Sequence, residues 1–317
     1  MKKVIRRIAE RLMKKNKNFL AVFIGETGSG KSESAISLGY MIEKEVVALL
    51  KERGVPEEEI KIKPDEIYKR IVFTGKEFMD LTEAEKYIDE KGREKYRLKY
   101  LHKGNVVIWD EAGAGEADNQ RWQTNVAIAV NHVVQTFRSD NIAVLFTVPY
   151  RDWVNKKIRQ LFHATFETVD IIARRRRCLL KFFYLKKNHR SGDVLDVYPR
   201  VVVNGVKIKI GGIYMPRPPV KIRHRYIEMK ERFNFLKKQE AKKAIEELEK
   251  PKIEEKRRLT REEINNIVKE LEKNIRILGR FTRGKWTISK DTIEGLYNCH
   301  SKDATIIKAL LELKVNR

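Results

Sequence analysis

The chain has 317 residues, of which 35% are charged, and a formal net charge of +24. This length is enough for one large domain and a smaller one. The sequence contains no run of 18 apolar residues, which excludes a membrane-spanning helix. The two cysteines, Cys178 and Cys299, lie far apart and lack metal-ligand spacing. Either a reducing compartment or indifference to disulfides explains them, and we expect the protein to be cytoplasmic.

Residues 1–17 predict a basic amphipathic helix. Its apolar positions, Val4, Ile5, Ile8 and Leu12, share one face. Such a helix either packs against the core, which the sequence favours, or touches a membrane surface. The segment lacks the apolar core and small-residue cleavage site of a secretory signal, so we expect none.

A glycine-rich motif follows an apolar, strand-like run at residues 19–24. It reads G-x-x-x-x-G-K-S and consists of Gly25, Glu26, Thr27, Gly28, Ser29, Gly30, Lys31 and Ser32. The glycines allow backbone N–H groups to surround nucleotide phosphates, and the following helix adds its N-terminal dipole. Lys31 is expected to reach the β- and γ-phosphates, and the Ser32 hydroxyl to ligate Mg²⁺. The motif predicts a P-loop site for ATP and Mg²⁺.

A second apolar run, residues 105–109, ends in two carboxylates, Asp110 and Glu111. It has the pattern of a buried parallel strand, whose carboxyl end faces ligands in an open α/β sheet. Asp110 would hold Mg²⁺ beside Ser32, and Glu111 would polarise the water that attacks the γ-phosphate. The plainer alternative is a helix N-cap followed by a surface acid. A further strand, residues 70–74, fits between the two motifs, as in P-loop ATPases with a catalytic glutamate.

Residues 119–137 have helical apolar spacing and lead to Arg138, a short turn and an apolar strand that contains Thr147. Together with the phosphate loop and the acid pair, this order resembles the FtsK/HerA-type DNA-pumping ATPases. It is nearest their archaeal plasmid- and virus-encoded branch, and more loosely similar to the zonula-occludens-toxin-like ATPases of phage assembly. The resemblance covers about residues 18–165. It implies a RecA-like core, a homo-oligomeric ring (commonly a hexamer) and motion along duplex DNA.

The resemblance also implies roles for individual residues. Lys31 and Ser32 match the nucleotide-binding positions, Asp110 the Mg²⁺ position and Glu111 the catalytic acid. Arg138 matches an arginine that acts in trans on the γ-phosphate of a neighbouring subunit. The alternative for Arg138 is a cation that favourably ends a helix.

The chain departs from the family pattern at one point. These families place glutamine directly after the strand-ending threonine, whereas this chain has Val148 and Pro149. Either Thr147 alone serves as the polar sensor of the γ-phosphate or the role has moved to another residue. The departure bears on the pumping mechanism more than on ATP binding.

Positive charge is concentrated after these motifs. Residues 1–150 carry 26 Lys and Arg against 23 Asp and Glu, whereas residues 151–230 carry 20 against 6 and residues 231–317 carry 22 against 15. Such single-sign crowding usually matches a polyanion, most often nucleic acid. The sequence therefore predicts DNA as a partner, with duplex favoured.

Within the basic region, four arginines separate two β-prone runs, residues 166–173 and 178–185. We predict a hairpin that presents these arginines to DNA phosphates: Arg174, Arg175, Arg176 and Arg177. An exposed loop or an intersubunit salt-bridge patch is the alternative. Asn204-Gly205 predicts a second hairpin, so residues 166–225 form a basic β-rich segment that packs on or extends the core.

The remaining residues predict a charged linker helix at 226–251 and a small, mainly helical domain at 252–317. Thr260 and Glu263 have capping-box spacing. A winged-helix module that binds DNA and a helical packing or oligomerisation domain fit equally well.

The predicted fold class is α/β, with a RecA-like ATPase core at residues 18–165. The leading function is a ring-forming ATPase that moves, packages or transfers mobile-element DNA. The alternatives are a phage-assembly or secretion motor and an ATP-controlled DNA-binding switch in replication or partition.

Overall fold

The computed structural model describes residues 1–112, 140–154, 156–172, 174, 176–188, 193–203, 205–249, 258–282 and 285–315. They form a mixed α/β protein that divides into two compact units, residues 1–238 and 239–317. None of the helices in these ranges has both the length and the apolar composition required to span a bilayer.

The first unit alternates helices and strands up to a long terminal helix. Its elements are α1 (Lys2–Met13), β1 (Phe19–Ile24), α2 (Lys31–Glu52), β2 (Ile71–Val72), α3 (Gly75–Leu81), β3 (Ala84–Ile88), β4 (Glu94–Leu98), β5 (Val106–Trp109), β6 (Ala143–Thr147), α4 (Lys156–Arg159), β7 (Ala164–Ile172), β8 (Arg177–Lys187), β9 (Val194–Val197), β10 (Arg200–Val203), β11 (Val206–Lys209), β12 (Ile213–Pro216) and α5 (Val220–Glu249).

The central sheet has the order β12–β8–β7–β1–β6–β5–β2, and β9 pairs with β8. Strands β7, β1, β6, β5 and β2 run parallel. Strand β8 is antiparallel to β7, β9 and β12. In space, β6 separates β1, which leads into the glycine-rich loop, from β5, which ends at the acid pair. Because these strands are parallel, their carboxyl ends meet at one edge of the sheet.

Apolar side chains cover both faces of this sheet. Along β1, Phe19, Ala21 and Phe23 face one cluster, and Leu20 and Val22 face the other. This alternation is the period of two that a strand imposes on its side chains. The first cluster also takes up the apolar face of α1, formed by Val4, Ile5, Ile8, Ala9, Leu12 and Met13. Full burial of each large aliphatic side chain stabilises the fold by about 1.5–3 kcal/mol.

The basic β-rich segment begins with the β7–β8 hairpin, which extends the central sheet. Phe166 on β7 stacks between Phe23 and Phe182, with ring centroids 4.6 and 4.8 Å apart. Strands β10 and β11 form the second hairpin, with Val203 paired to Val206 across the turn. Gly205 has a φ of 79°, a left-handed conformation that favours glycine.

In its described residues, the second unit contains the end of α5, three further helices and a short hairpin. Its elements are α6 (Arg261–Leu278), β13 (Arg280–Thr282), β14 (Lys285–Thr287), α7 (Lys290–Tyr297) and α8 (Ser301–Val315). The capping box of Thr260 and Glu263 forms at the start of α6. The unit has its own apolar cluster, which includes Leu271 and Ile307. Helix α5 begins at Val220 in the first unit, six residues before the predicted linker helix, and ends in the second unit.

Candidate nucleotide-binding site

The glycine-rich loop joins the end of β1 to the start of α2. Gly25, Gly28 and Gly30 have φ values of 142°, 80° and 85°, all in the region that favours glycine. A Cβ at Gly25 would lie 2.0 Å from Thr168 Oγ1, which is closer than real contacts allow. The loop therefore requires glycine for its backbone conformation, and at Gly25 also for space.

Strand β7 supports the loop from the side. The Ser29 and Thr168 hydroxyls are 2.6 Å apart, and Thr168 Oγ1 donates to the Ile24 carbonyl at 3.1 Å. Thr168 therefore links the end of β1 to the loop that follows it. Sequence reasoning missed this residue because no local pattern marks a threonine 139 positions from its partner.

Lys31 folds over the loop that precedes it. Its Nζ donates to the carbonyls of Gly25 and Glu26 at 2.7 and 2.6 Å. Burial lowers the pKa of Lys31, although the nearby Asp110 carboxylate opposes the shift. Both loop contacts are to neutral carbonyls, so phosphate oxygens would be stronger partners for this ammonium group.

Asp110 lies at the carboxyl end of β5 and is fully buried. Its Oδ1 accepts hydrogen bonds from Ser32 Oγ and Thr147 Oγ1, both at 2.6 Å. These two hydroxyls come from the start of α2 and the end of β6. The predicted proximity of Ser32 and Asp110 is thus a direct hydrogen bond, and Thr147 joins it because β6 lies between β1 and β5.

Helix α5 supplies two residues that the sequence did not indicate. Tyr226 OH and Lys230 Nζ each donate to Asp110 Oδ2 at 2.8 Å. Lys230 Nζ also donates to Glu111 Oε1 at 2.7 Å. Tyr226 and Lys230 are four positions apart and so share one helix face. That spacing is the signal that the sequence offers, but the prediction of a charged linker helix at residues 226–251 does not use it.

Two contacts hold α5 at this edge of the sheet. Arg223 Nε donates to Glu33 Oε1 on α2 at 2.6 Å. One turn beyond Lys230, the ring of Phe233 stacks on Phe73, with centroids 4.8 Å apart. These contacts fix the helix on both sides of Tyr226 and Lys230.

The pKa shifts of Asp110, Lys230 and Tyr226 indicate the protonation state of each group. Burial alone would raise the pKa of Asp110, but the Lys230 charge and three hydrogen bonds hold it below its usual range. Burial opposes the charge on Lys230, yet Asp110 and its other partners raise the Lys230 pKa above the ordinary value. Burial and the adjacent Asp110 charge raise the pKa of Tyr226. The cluster is therefore a carboxylate, an ammonium and a neutral phenol.

Glu111 has an unusual backbone conformation. Its φ is 53°, in the left-handed region, where a non-glycine residue costs about 1–3 kcal/mol. The Glu111 N–H donates to Thr147 Oγ1 at 3.0 Å, and this contact helps to hold the conformation. The result directs the Glu111 side chain towards Lys230 and the cavity.

A cavity of about 610 Å³ opens between the loop, the ends of the strands and α5. Its polar end includes Lys31, Ser32, Glu111, Thr147 and Lys230. Its apolar walls include Ile171, Cys178, Met215, Pro216 and Trp153. The volume lies within the range of small-molecule sites. The hydroxyl and carboxylate oxygens of Ser32 and Asp110 are donors that Mg²⁺ prefers, so the residues present fit a nucleotide with its metal.

The structure describes some, but not all, of the arginines to which the sequence analysis assigns a role. Arg138 and the helix predicted at residues 119–137 lie outside the described residues, so the trans role stays a prediction. Of the arginine cluster, Arg175 lies outside them too, whereas Arg174, Arg176 and Arg177 are exposed at or near the tip of the β7–β8 hairpin. Arg177 also lines the cavity. The DNA-binding role of the cluster stays a prediction.

No protein-family model matches the chain, and no curated protein matches it. Among solved structures, it is similar to the N-terminal domain of zonular occludens toxin from Neisseria meningitidis. The sequence identity is 14%, the match covers 57% of this chain and 93% of that domain, and the TM-score is 0.28. This finding gives no support to the FtsK/HerA-type resemblance, which stays a prediction.

Proposed function

We propose that the chain is a Mg²⁺-dependent ATPase with a RecA-like P-loop core. One observation carries the proposal: Asp110 Oδ1 accepts hydrogen bonds from both Ser32 and Thr147. This contact joins the end of the phosphate loop, the acid strand and the strand between them. The parallel order β7–β1–β6–β5–β2 supports the RecA-like assignment.

Metal and phosphate binding follow from the donor types. Ser32 Oγ and the Asp110 carboxylate would hold Mg²⁺, which, when bound, neutralises phosphate charge as the terminal phosphoryl group is transferred. Lys31 would exchange its contacts with the loop carbonyls for β- and γ-phosphate oxygens. The left-handed glycines leave room for the phosphates beside the backbone N–H groups.

Glu111 would orient and polarise the attacking water. Thr147 fixes the backbone of Glu111 and also contacts Asp110, so one hydroxyl aligns both acids. In this proposal Thr147 acts as a positioning residue. Its role does not need the glutamine that Val148 replaces, because Thr147 reaches both acids directly.

The test compares nucleotide binding with turnover. Glu111→Gln should keep affinity for a fluorescent ATP analogue but lower phosphate release by about 10²–10⁴-fold, the usual range for loss of a general base. Lys31→Ala should lose nucleotide affinity. The control is Glu85→Gln, which changes a half-buried acid on β3 that pairs with Arg97 and does not line the cavity. Wild-type turnover in Glu111→Gln would exclude Glu111 as the base, and unchanged ATP affinity in Lys31→Ala would refute the phosphate-binding assignment.

We also propose that ATP hydrolysis is coupled to DNA binding and movement, with the chain assembled as a homo-oligomeric ring. The support is the excess of 20 Lys and Arg over 6 Asp and Glu in residues 151–230. Hydrolysis measured without DNA, with single-stranded DNA and with long duplex DNA separates the alternatives. Strong stimulation by long duplex supports a motor. Tight DNA binding without stimulation supports an ATP-controlled switch instead.

A further inference from the structure

Helix α1 has two polar faces with different surroundings. One face carries Arg6, Glu10 and Lys14, whose charges are paired. Arg6 contacts Glu45 at 2.9 Å and Glu52 at 2.5 Å, and Lys14 contacts Glu10 at 2.8 Å. Each of these three charges therefore has an opposite charge beside it.

The second polar face is purely cationic. This basic stripe is formed by Lys3, Arg7, Arg11 and Lys15. Its members are four residues apart in sequence. Lys3, Arg7 and Arg11 lie on α1 and rise by about 6 Å per step, and Lys15 follows two residues beyond the end of the helix. Across the described ranges, no carboxylate lies within ion-pair distance of them. Arg7 contacts the Tyr184 hydroxyl, and Arg11 Nε donates to the Asn18 carbonyl at 2.6 Å.

The basic stripe borders two adjoining cavities at the amino end of the parallel strands, opposite the phosphate loop. One, of about 290 Å³, is lined by Arg7, Ile8, Arg11, Lys15, Phe19, His163, Tyr184 and Leu185. The other, of about 230 Å³, is lined by Arg11, Lys17, Asn18 and His163. The surface is thus a recessed groove with cations along one wall.

The charges in this groove repel one another. Burial lowers the pKa of Arg11. Burial and the charge of Arg11 lower the pKa of Lys187. Burial, Arg11 and Lys187 lower the pKa of His163 to about 3, so its ring is neutral. Because His163 Nδ1 accepts the Leu20 N–H, the ring proton lies on Nε2 and is a further donor. An anion in the groove would relieve this repulsion and accept from Arg7, Arg11, Lys15 and the His163 Nε2–H.

We propose that the basic stripe binds the phosphodiester backbone of nucleic acid. Cations spaced along one wall of a groove suit a row of phosphates, and arginine suits bidentate contact with phosphate oxygens. An anionic lipid surface fits less well, because the apolar face of α1 is already buried in the core and has nothing left to insert. The inference rests on the DNA partner proposed above and gives that partner a surface separate from the ATP site.

The test measures how salt weakens binding of fluorescent duplex and single-stranded oligonucleotides, without nucleotide. The salt slope is the slope of the logarithm of the binding constant against the logarithm of the salt concentration. In the triple variant Arg7→Ala/Arg11→Ala/Lys15→Ala, loss of three phosphate contacts should reduce the magnitude of this slope by about 2.7 for duplex and about 2 for a single strand. The matched control, Lys14→Ala/Lys51→Ala/Lys69→Ala, removes the same charge from exposed residues that pair with carboxylates. Its slope should stay close to that of the wild type.

Because Arg11 is half-buried, the double variant Arg7→Ala/Lys15→Ala provides a second measurement that leaves its contact with Asn18 in place. The duplex slope should then fall by about 1.8. Equal effects of stripe and control variants, or an unaltered slope, would overturn the inference. The inference would also be overturned if a stripe variant bound DNA as the wild type does but no longer bound phosphatidylserine vesicles.

Comparison of the wild-type protein with the stripe variants distinguishes failure of this inference from failure of the proposed function. If the wild-type protein binds neither oligonucleotide, the DNA partner itself is refuted, and this inference with it. If it binds both but the stripe variants bind equally well, only the inference fails. Lys31→Ala should retain the wild-type salt slope, because the ATP site lies at the opposite edge of the sheet.

Discussion

Among the described residues of the first unit, two carboxylates are fully buried, Glu43 and Asp110. Glu43 on α2 accepts from Arg70 Nη2 at 2.6 Å and Nε at 3.1 Å, from Asn105 Nδ2 at 3.1 Å and from the Val106 N–H at 2.8 Å. Asp110 has four donors as well, from Ser32, Thr147, Tyr226 and Lys230. Burial and hydrogen-bond count therefore do not distinguish the two acids.

The donors and their surroundings do distinguish them. The partners of Glu43 are a planar guanidinium, an amide and the backbone, and none of them lines the 610 Å³ cavity. All four partners of Asp110 are hydroxyl or ammonium groups that line the cavity. Such groups can rotate to a ligand without unfolding the chain. A buried charge thus indicates a binding site when its partners face a cavity, and a structural anchor when they do not.

The largest effect is expected at the structural anchor. Arg70→Met leaves the Glu43 carboxyl, whose pKa burial already raises, without its cation, which should lower the free energy of unfolding by about 3–5 kcal/mol. Urea unfolding followed by tryptophan fluorescence measures this. Adding Glu43→Gln should restore most of the loss, because the amide oxygen still accepts from Asn105 and Val106 and no unpaired charge remains. A double variant no more stable than Arg70→Met would show that the buried charge is not the cause.

A smaller effect is expected at the site. Lys230→Met removes the ammonium group that contacts Asp110 and Glu111, so a divalent cation no longer competes with it. The Mg²⁺ concentration for half-maximal binding of a fluorescent ATP analogue should fall by about tenfold, equivalent to about 1.4 kcal/mol. Lys221→Met, an exposed position on the same helix, is the control. An unchanged or higher Mg²⁺ requirement in Lys230→Met would mean that Lys230 assists the metal and does not compete with it.

The smallest effect is expected beside the loop. Thr168→Val removes the hydroxyl contacts to Ser29 and Ile24, which should weaken ATP binding by about fivefold, or about 1 kcal/mol, through a less ordered loop. Thr165→Val on the same strand is a matched control, because the buried Thr165 hydroxyl has no hydrogen-bond partner. It should leave ATP binding unchanged. Equal weakening by both variants would assign the effect to strand packing.

Sequence reasoning reached the parts of the site that local pattern encodes. The loop glycines, Lys31 and Ser32 are adjacent in the chain, and the acid pair follows a recognisable buried strand. The β7–β8 and β10–β11 hairpins were predicted from β-prone runs and turn residues. The capping box at Thr260 was visible as a spacing of three.

The residues that sequence reasoning missed depend on tertiary packing. Lys230 is 120 positions from Asp110, and Thr168 is 139 positions from Ser29. The local sequence of neither segment indicates which other element of the fold it will contact. Thr168 contacts Ser29 because β7 lies beside β1, and Lys230 contacts Asp110 because α5 lies across the cavity. Burial of apolar side chains determines both placements. The same packing places Arg177 at the cavity wall as well.

The left-handed backbone conformation of Glu111 lowers the stability of the fold while it places a carboxylate that the proposed activity needs. Glycine would adopt this conformation without the penalty of about 1–3 kcal/mol, so a chain selected only to resist unfolding would favour glycine there. The glutamate keeps a carboxylate at the cavity at the expense of a more relaxed backbone. A search for thermostable variants would therefore find this position early, and in doing so would remove the group proposed to activate water.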